Sequence, residues 1–354
     1  MPLSRERIIK GINNPGLAVQ FLRGTYLEPG IYTVINTHMT VKERGKKSEY
    51  GLVINWGHHF RNNWPVALYP FLVNALIEEY DPVLITTQRA YERHKDDLKY
   101  IISFEGCSKK APAITFDEDA HRVIAMFVGH THDKIPWFTD YVDNHNIDYV
   151  LSRYHDPFFL HFPDFDRGRF VHVPWSVPEQ FIRDPEDVHF YGQEKIHLFG
   201  ASTGDMYAQR RRCMEYPFVA THSNTGVDKK MSDADYYRWC RNFDAVVAAG
   251  SFEEQYQFVF AKYFEIAAAG SLLFAQYCGD LERLGFDSSN AVIFHKGEFE
   301  QKAREYLTDP RSYLERRKKA VERIHERHTT SKRIKMIDRI LHGEKDEAGR
   351  EIMT

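Results

Sequence analysis

The sequence predicts an α/β protein built as two doubly wound parallel-sheet units that face each other across a cleft. Three observations carry this. Short apolar runs alternate with amphipathic helical stretches through both halves of the chain, the pattern of βαβ units. A Pro-punctuated stretch, VPWSVPEQFIRDPED at 173–187, divides the two halves. The length of 354 residues, 43% hydrophobic and 27% charged, allows two domains with real cores and does not suit a disordered chain.

Residues 1–48 read as an appendage, with Ile8, Ile9 and Ile12 among Arg5, Arg7 and Lys10 before Pro15 and Gly16 interrupt. The plain reading is an arm packed on the body; the sharper one is a basic amphipathic segment against a membrane surface. YGLVINWG at 50–57 predicts the first buried strand, and the loop HHFRNN leads to a helix with Pro65 in its first turn and Val66, Tyr69, Leu72, Val73 and Leu76 at helical spacing. DPVLITTQ, LKYIISFEG, HRVIAMFVGHTH, IDYVLSRY and RFVHVPWS continue the strands, with helices about 90–97 and 136–145. EKIHLFGAS at 194–202 opens the second unit, followed by strands in FVATHSN, AVVAAGSF, SLLFAQYCG and NAVIFHKG. Helices are expected at about 232–242, 258–269, 280–284 and 297–307, and a basic helix pair then closes the fold. The division is therefore an appendage at 1–48, Rossmann-like units at 49–180 and 181–343, and a charged tail at 344–354.

Forty-seven Lys+Arg against 50 Asp+Glu leave a net charge of −3, which argues against a nucleic-acid partner. No apolar run approaches the roughly 18 residues that span a bilayer, and the N-terminus lacks the apolar core of a signal peptide. The four cysteines, Cys107, Cys213, Cys240 and Cys278, form no CxxC pair, so no zinc site is expected and a reducing cytoplasm fits.

Three segments hold residues suited to chemistry. In KYFEIAAAGSLLF at 262–274, a helix ends in a Gly cap before a buried strand, and Glu265 can accept two hydroxyl hydrogen bonds from a ribose diol. The start of that helix, near Phe258 to Ala261, suits a diphosphate. In GASTGDMYAQRRR at 200–212, small residues after a strand let backbone N–H groups approach a ligand, and arginines can clamp phosphate. Gly129-His130-Thr131-His132-Asp133 follows a strand, where imidazoles can bond a sugar hydroxyl or ligate a metal. Two further loops are placed by position alone: Gly57-His58-His59 after the first strand, and Gly250-Ser251-Phe252, which would pack on a base.

KYFEIAAAGSLLFAQYCGDLERLGF, with NAVIFHKGEFEQKAREYLTDPRSYLERRKKAVERIHERHTTSKRI after it, resembles the C-terminal half of GT-B glycosyltransferases. The nearest likeness is to the CgeB-like, spore-protein-type group related to retaining family 4. That resemblance implies a nucleotide-diphosphate sugar donor held mainly by the C-terminal unit, with Glu265 on the donor ribose. It implies Arg210 as the diphosphate clamp with Lys262 as its partner, and Gly200, Ser202, Thr203, Tyr207 and Ser251 around the donor. Gln257 stands where family 4 usually carries a Glu near the transferred sugar, and Ala208 replaces the usual Pro, two departures from the pattern. His132 and His130 would contact the donor sugar, and His58, His59 and Asp133 would lie on the acceptor side.

The implied activity is transfer of a sugar to a carbohydrate or lipid-linked acceptor, retaining and without a metal or other cofactor. Other readings stay open. GHTH is also a fragment of calcineurin-like metallophosphoesterases, although the D-x-H and G-N-H-[DE] segments of that family are not found. A non-catalytic nucleotide-sugar binder would keep Glu265 and Arg210. A DNA-base glycosyltransferase would use the basic helices at 311–335.

Overall fold

A computed structural model of the chain describes residues 27–61, 68–104, 112–119, 121–129, 135–200, 204–222 and 233–344. Two all-parallel sheets form its frame. The first contains β1 (Tyr50–Val53), β2 (Val83–Ile85), β3 (Tyr100–Phe104), β4 (Val123–Val128), β5 (Tyr149–Ser152) and β6 (Phe170–His172), in the order β2-β1-β3-β4-β5-β6. The second contains β7 (Ile196–Phe199), β8 (Val219–His222), β9 (Ala245–Ala248), β10 (Leu272–Gln276) and β11 (Ala291–Phe294), in the order β11-β10-β9-β7-β8. Both sheets thus begin with the same winding. Each first strand pairs with the second on one side and the third on the other. Beyond the carboxyl ends of those first and third strands the connections diverge, leaving a crevice where doubly wound sheets bind ligands.

The helices of the first half are α1 (Glu28–Lys42), α2 (Trp56–Phe60), α3 (Leu68–Tyr80), α4 (Gln88–His94), α5 (Phe138–Asn144) and α6 (Asp156–His161). Those of the second are α7 (Ala208–Met214), α8 (Asp233–Cys240), α9 (Ala261–Ala268), α10 (Asp280–Arg283), α11 (Phe299–Thr308), α12 (Leu314–Arg327) and α13 (Thr330–Leu341). One local expectation is corrected. The apolar run at 50–57 stops being strand at Val53, because the Asn55 side chain accepts from His58 N–H and caps α2. His58 and His59 are therefore helical residues and not part of a loop.

Described residues of the N-terminal appendage pack closely on the body. A Cβ added at Gly57 would lie 2.4 Å from the Tyr32 Cα, so only glycine admits α1 at this distance, and Asn36 Oδ1 accepts from Gly57 N–H at 2.9 Å. The last helix, α13, returns to the first unit and packs on α3, where the Tyr80 hydroxyl donates to Asp338. The linker is pinned as well: Val177 pairs with Thr329, and Arg183 N–H donates to the Ala268 carbonyl. Across the cleft, the buried Asp280 carboxylate accepts from the backbone N–H groups of His155 and Asp156. Burial pushes its pKa up to about 6. Among the described residues no helix is long and apolar enough to cross a membrane.

Desolvation disfavours the charged form of three histidines, two of them buried and His197 half-buried. Desolvation pulls the pKa of His172 down to about 3 and that of His197 to about 4, and His328 falls well below its ordinary value. In the unfolded chain each titrates near 6.5, so the unfolded state takes up protons first as pH falls. Stability should therefore be lost between about pH 6.5 and 4, at about 1.4 kcal/mol per pH unit for His172 alone. Asp280 works in the opposite sense over the same window, but it is one group against three. The check is a series of urea midpoints from pH 7 to 5; a flat series contradicts the account.

Candidate active site

The crevice of the second sheet lies beyond the ends of β7 and β9, and two cationic side chains of the C-terminal unit meet there. Gly200 directly follows β7 with φ of +105°, a backbone setting open to glycine. A Cβ at this position would lie 3.3 Å from Arg210 Nη1, 3.2 Å from Lys262 Cε and 3.6 Å from Lys262 Nζ. Two cations from elements 52 positions apart in the sequence thus meet beside one backbone turn.

Arg210 is buried on α7. Its Nε donates to the Ala249 carbonyl at 2.9 Å, just past β9, and its guanidinium lies 4.5 Å from the centre of the Tyr207 ring. Burial lowers its pKa, and neighbouring tyrosines act against that shift. Lys262 sits in the first turn of α9, whose cap residue, Phe260, makes no side-chain bond to the helix N–H groups. The Lys262 ammonium lies over the Phe199 ring at 4.3 Å. Desolvation lowers its pKa and the charge of Glu265 raises it. One turn on, Glu265 is 5% exposed, with Oε2 3.9 Å from Lys262 Nζ.

Between them stands Tyr236 of α8. Lys262 Nζ donates to its hydroxyl at 3.0 Å, and that hydroxyl donates to Glu265 Oε2 at 2.8 Å. Nothing in the sequence singled Tyr236 out: it lies 26 positions before Lys262, in a stretch that reads as an ordinary aromatic helix. Gln276 was missed too. Buried at the end of β10, its carboxamide accepts from Gly250 N–H at 2.9 Å and donates to the Ser251 carbonyl. Gln209 and Arg210 also donate backbone N–H groups to the Gly250 carbonyl. The Gly250-Ser251 turn is therefore held from both sides, and its glycine is needed because a Cβ would fall 2.5 Å from the Phe260 ring.

The remaining expected residues are distributed as follows. Tyr207 lies beside Arg210, and the Ser251 hydroxyl accepts from Glu253 N–H. Gln257 turns back to donate to the Phe252 carbonyl at 3.0 Å. Ser202, Thr203, His130, His132 and Asp133 lie outside the described residues. His58 and His59 are each 6% exposed in α2; His59 bonds Asn74, and burial lowers its pKa. The structure brings together Gly200, Arg210, Lys262 and Glu265, and adds Tyr236 to them.

Residues 180–339 match the family model described as glycosyl transferase-like. Among solved structures, a glycosyltransferase from Rickettsia africae ESF-5 is similar at a TM-score of 0.50 and 11% identity, over 84% of this chain and 98% of that one. TarM of S. aureus, solved with fondaparinux, α-GlcNAc-glycerol and UDP, gives 0.48 and 13% identity over 69% of this chain. The chain spans 55% of the length of TarM. WaaG, a glycosyltransferase of lipopolysaccharide biosynthesis, gives 0.44 and 12% over 79% of this chain and 85% of its own. Comparison with curated proteins finds no match. The chain thus has the two-unit GT-B architecture, and residues 180–339 of it form a glycosyl transferase-like domain.

Proposed function

We propose that the protein is a glycosyltransferase that binds a nucleoside-diphosphate sugar beyond β7 and β9 and passes the sugar to a carbohydrate or lipid-linked acceptor. The observation that carries this is the meeting of Arg210 and Lys262 at Gly200, with a carboxylate one helical turn away. A diphosphate needs cations, and a ribose diol needs an acceptor such as Glu265. When the bond from the anomeric carbon to the diphosphate oxygen breaks, negative charge grows on the leaving group. Arg210, Lys262 and the first N–H groups of α9 would meet that charge, and groups held in advance of the step need little reorganisation.

The likeness of this segment to the CgeB-like group favours retention and independence of metal. In a front-face reaction the acceptor oxygen bonds the anomeric carbon on the face the diphosphate leaves, and the departing phosphate takes the acceptor proton. No side chain then has to act as base. His130 and His132 are proposed as sugar contacts, and His58, His59 and Asp133 as acceptor-side residues. Membrane contact is proposed through the N-terminal segment, whose Ile8, Ile9 and Ile12 lie outside the described residues; beyond it, Leu27 beside α1 and Val34 and Val41 on it are 58%, 69% and 65% exposed. A cytoplasmic location rests on the cysteines, of which Cys213, Cys240 and Cys278 are buried free thiols.

The test is thermal stability with UDP, GDP, ADP, CMP and dTDP, each with and without EDTA. A nucleotide bound only by the folded state, at 100 times its dissociation constant, should add about 2.7 kcal/mol. A rise unaffected by EDTA supports the proposal. A rise with Mn²⁺ alone and with no nucleotide overturns it. Within the same assay, Gly200→Ala should weaken the bound nucleotide by about tenfold or more, since the new methyl strains the turn and displaces Lys262 and Arg210. Unchanged affinity would mean that Gly200 borders no ligand.

A further inference from the structure

We infer that Tyr236 is a positioning residue for donor recognition: by engaging one oxygen of Glu265 and holding Lys262 apart from that carboxylate, it reserves the other oxygen for the ribose diol and the ammonium for the diphosphate. The inference rests on the donor-site reading given above.

Its basis is the direction of two hydrogen bonds. An ammonium can only donate, so the Lys262–Tyr236 bond must place a Lys262 proton on the phenol oxygen. The single phenol proton is then committed to Glu265 Oε2. Burial and the charge of Glu265 keep that phenol protonated, since both raise its pKa well above the ordinary value. The chain of donors therefore runs one way, from Lys262 to Tyr236 to Glu265.

Two consequences follow from this geometry. Glu265 Oε2 is occupied, whereas no described residue donates to Oε1, which leaves a defined acceptor for a ligand hydroxyl. The ammonium and carboxylate also stand 3.9 Å apart, with the phenol between them. Without the hydroxyl, the two opposite charges, whose side chains on successive turns of α9 are 17% and 7% exposed, would draw together into a direct pair. Each would then be spent on the other: Lys262 would be lost to the diphosphate, and Glu265 to the ribose. The aromatic ring itself packs against Phe199, Tyr237 and Trp239, contacts that a phenylalanine would keep.

The experiment is a set of dissociation constants for UDP, GDP, ADP and CDP, each paired with its 2′,3′-dideoxy form. They are measured on the wild type, Tyr236→Phe and Glu265→Gln, with folding checked by melting temperature. The wild type should favour the ribose form of the diphosphate it binds tightest by about tenfold or more, the usual size of a hydrogen bond to a charged group. Tyr236→Phe should bring that ratio close to the Glu265→Gln value, under about threefold, and weaken both forms of the diphosphate. A role in packing alone would weaken both forms equally and leave the ratio unchanged, and that result overturns the inference. A wild type that binds a diphosphate without discriminating overturns it as well. A wild type that binds none of the four overturns the donor-site reading itself, and the inference with it.

Discussion

Replacing Arg210 or Lys262 with alanine should reduce sugar transfer by about 100- to 1,000-fold, the usual cost of removing one donor from a site that stabilises developing charge. The two variants should differ in kind. Arg210 is anchored by its bond to the Ala249 carbonyl, so its loss also loosens the turn after β9, and donor KM should rise along with the fall in kcat. Lys262 is held through the Tyr236 hydroxyl and through the Phe199 ring. Its removal should act mainly on kcat, because in the proposed reaction its charge matters most as the diphosphate departs. Steady-state kinetics with the accepted donor checks both. Wild-type kcat in Lys262→Ala would remove the ammonium from the mechanism.

Asp244→Ala should unfold the C-terminal unit, at a cost of about 3–5 kcal/mol. Asp244 is fully buried just before β9 and forms a salt bridge with Arg317, which is itself 2% exposed. Its carboxylate also accepts from the backbone N–H groups of Tyr191 and Gln193, tying the linker to the start of the sheet. Alanine would leave the Arg317 guanidinium buried beside two unmet backbone donors, the arrangement in which breaking a buried pair costs most. Denaturant unfolding monitored in the second unit is the check. A loss below about 1 kcal/mol would mean that water replaces the carboxylate there.

The strands were the most legible part of the chain. Parallel strands covered on both faces must be nearly all apolar, so runs such as AVVA at 245–248 and LLFAQ at 272–276 declare themselves. Strand order was not legible, because winding depends on which connections cross which face. Nor was the return of α13 to the first unit, since its amphipathic pattern fits any partner surface. The strand predicted over 50–57 failed at Asn55, where a side-chain cap outweighed an apolar run.

The site divides along the same line. Glu265, Lys262 and Gly200 stand at strand and helix ends, where local pattern carries meaning, and their meeting follows from adjacency of β7, β9 and the start of α9. Tyr236 and Gln276 act through contacts between elements distant in sequence. A tyrosine in DADYYRWC or a glutamine ending LLFAQ has no local mark that separates it from a packing residue.

In the proposed reaction this cleft releases a nucleoside diphosphate from a sugar donor through Arg210 and Lys262. The most direct measurement is release of free nucleoside diphosphate from UDP-, GDP- and ADP-sugars in EDTA, by the wild type and by an Arg210→Ala/Lys262→Ala variant that keeps its melting temperature. The wild type should release it from one donor class, and the variant about 100-fold less or none. Release that needs added metal, or that proceeds equally in the variant, would rule out this role for the two cations.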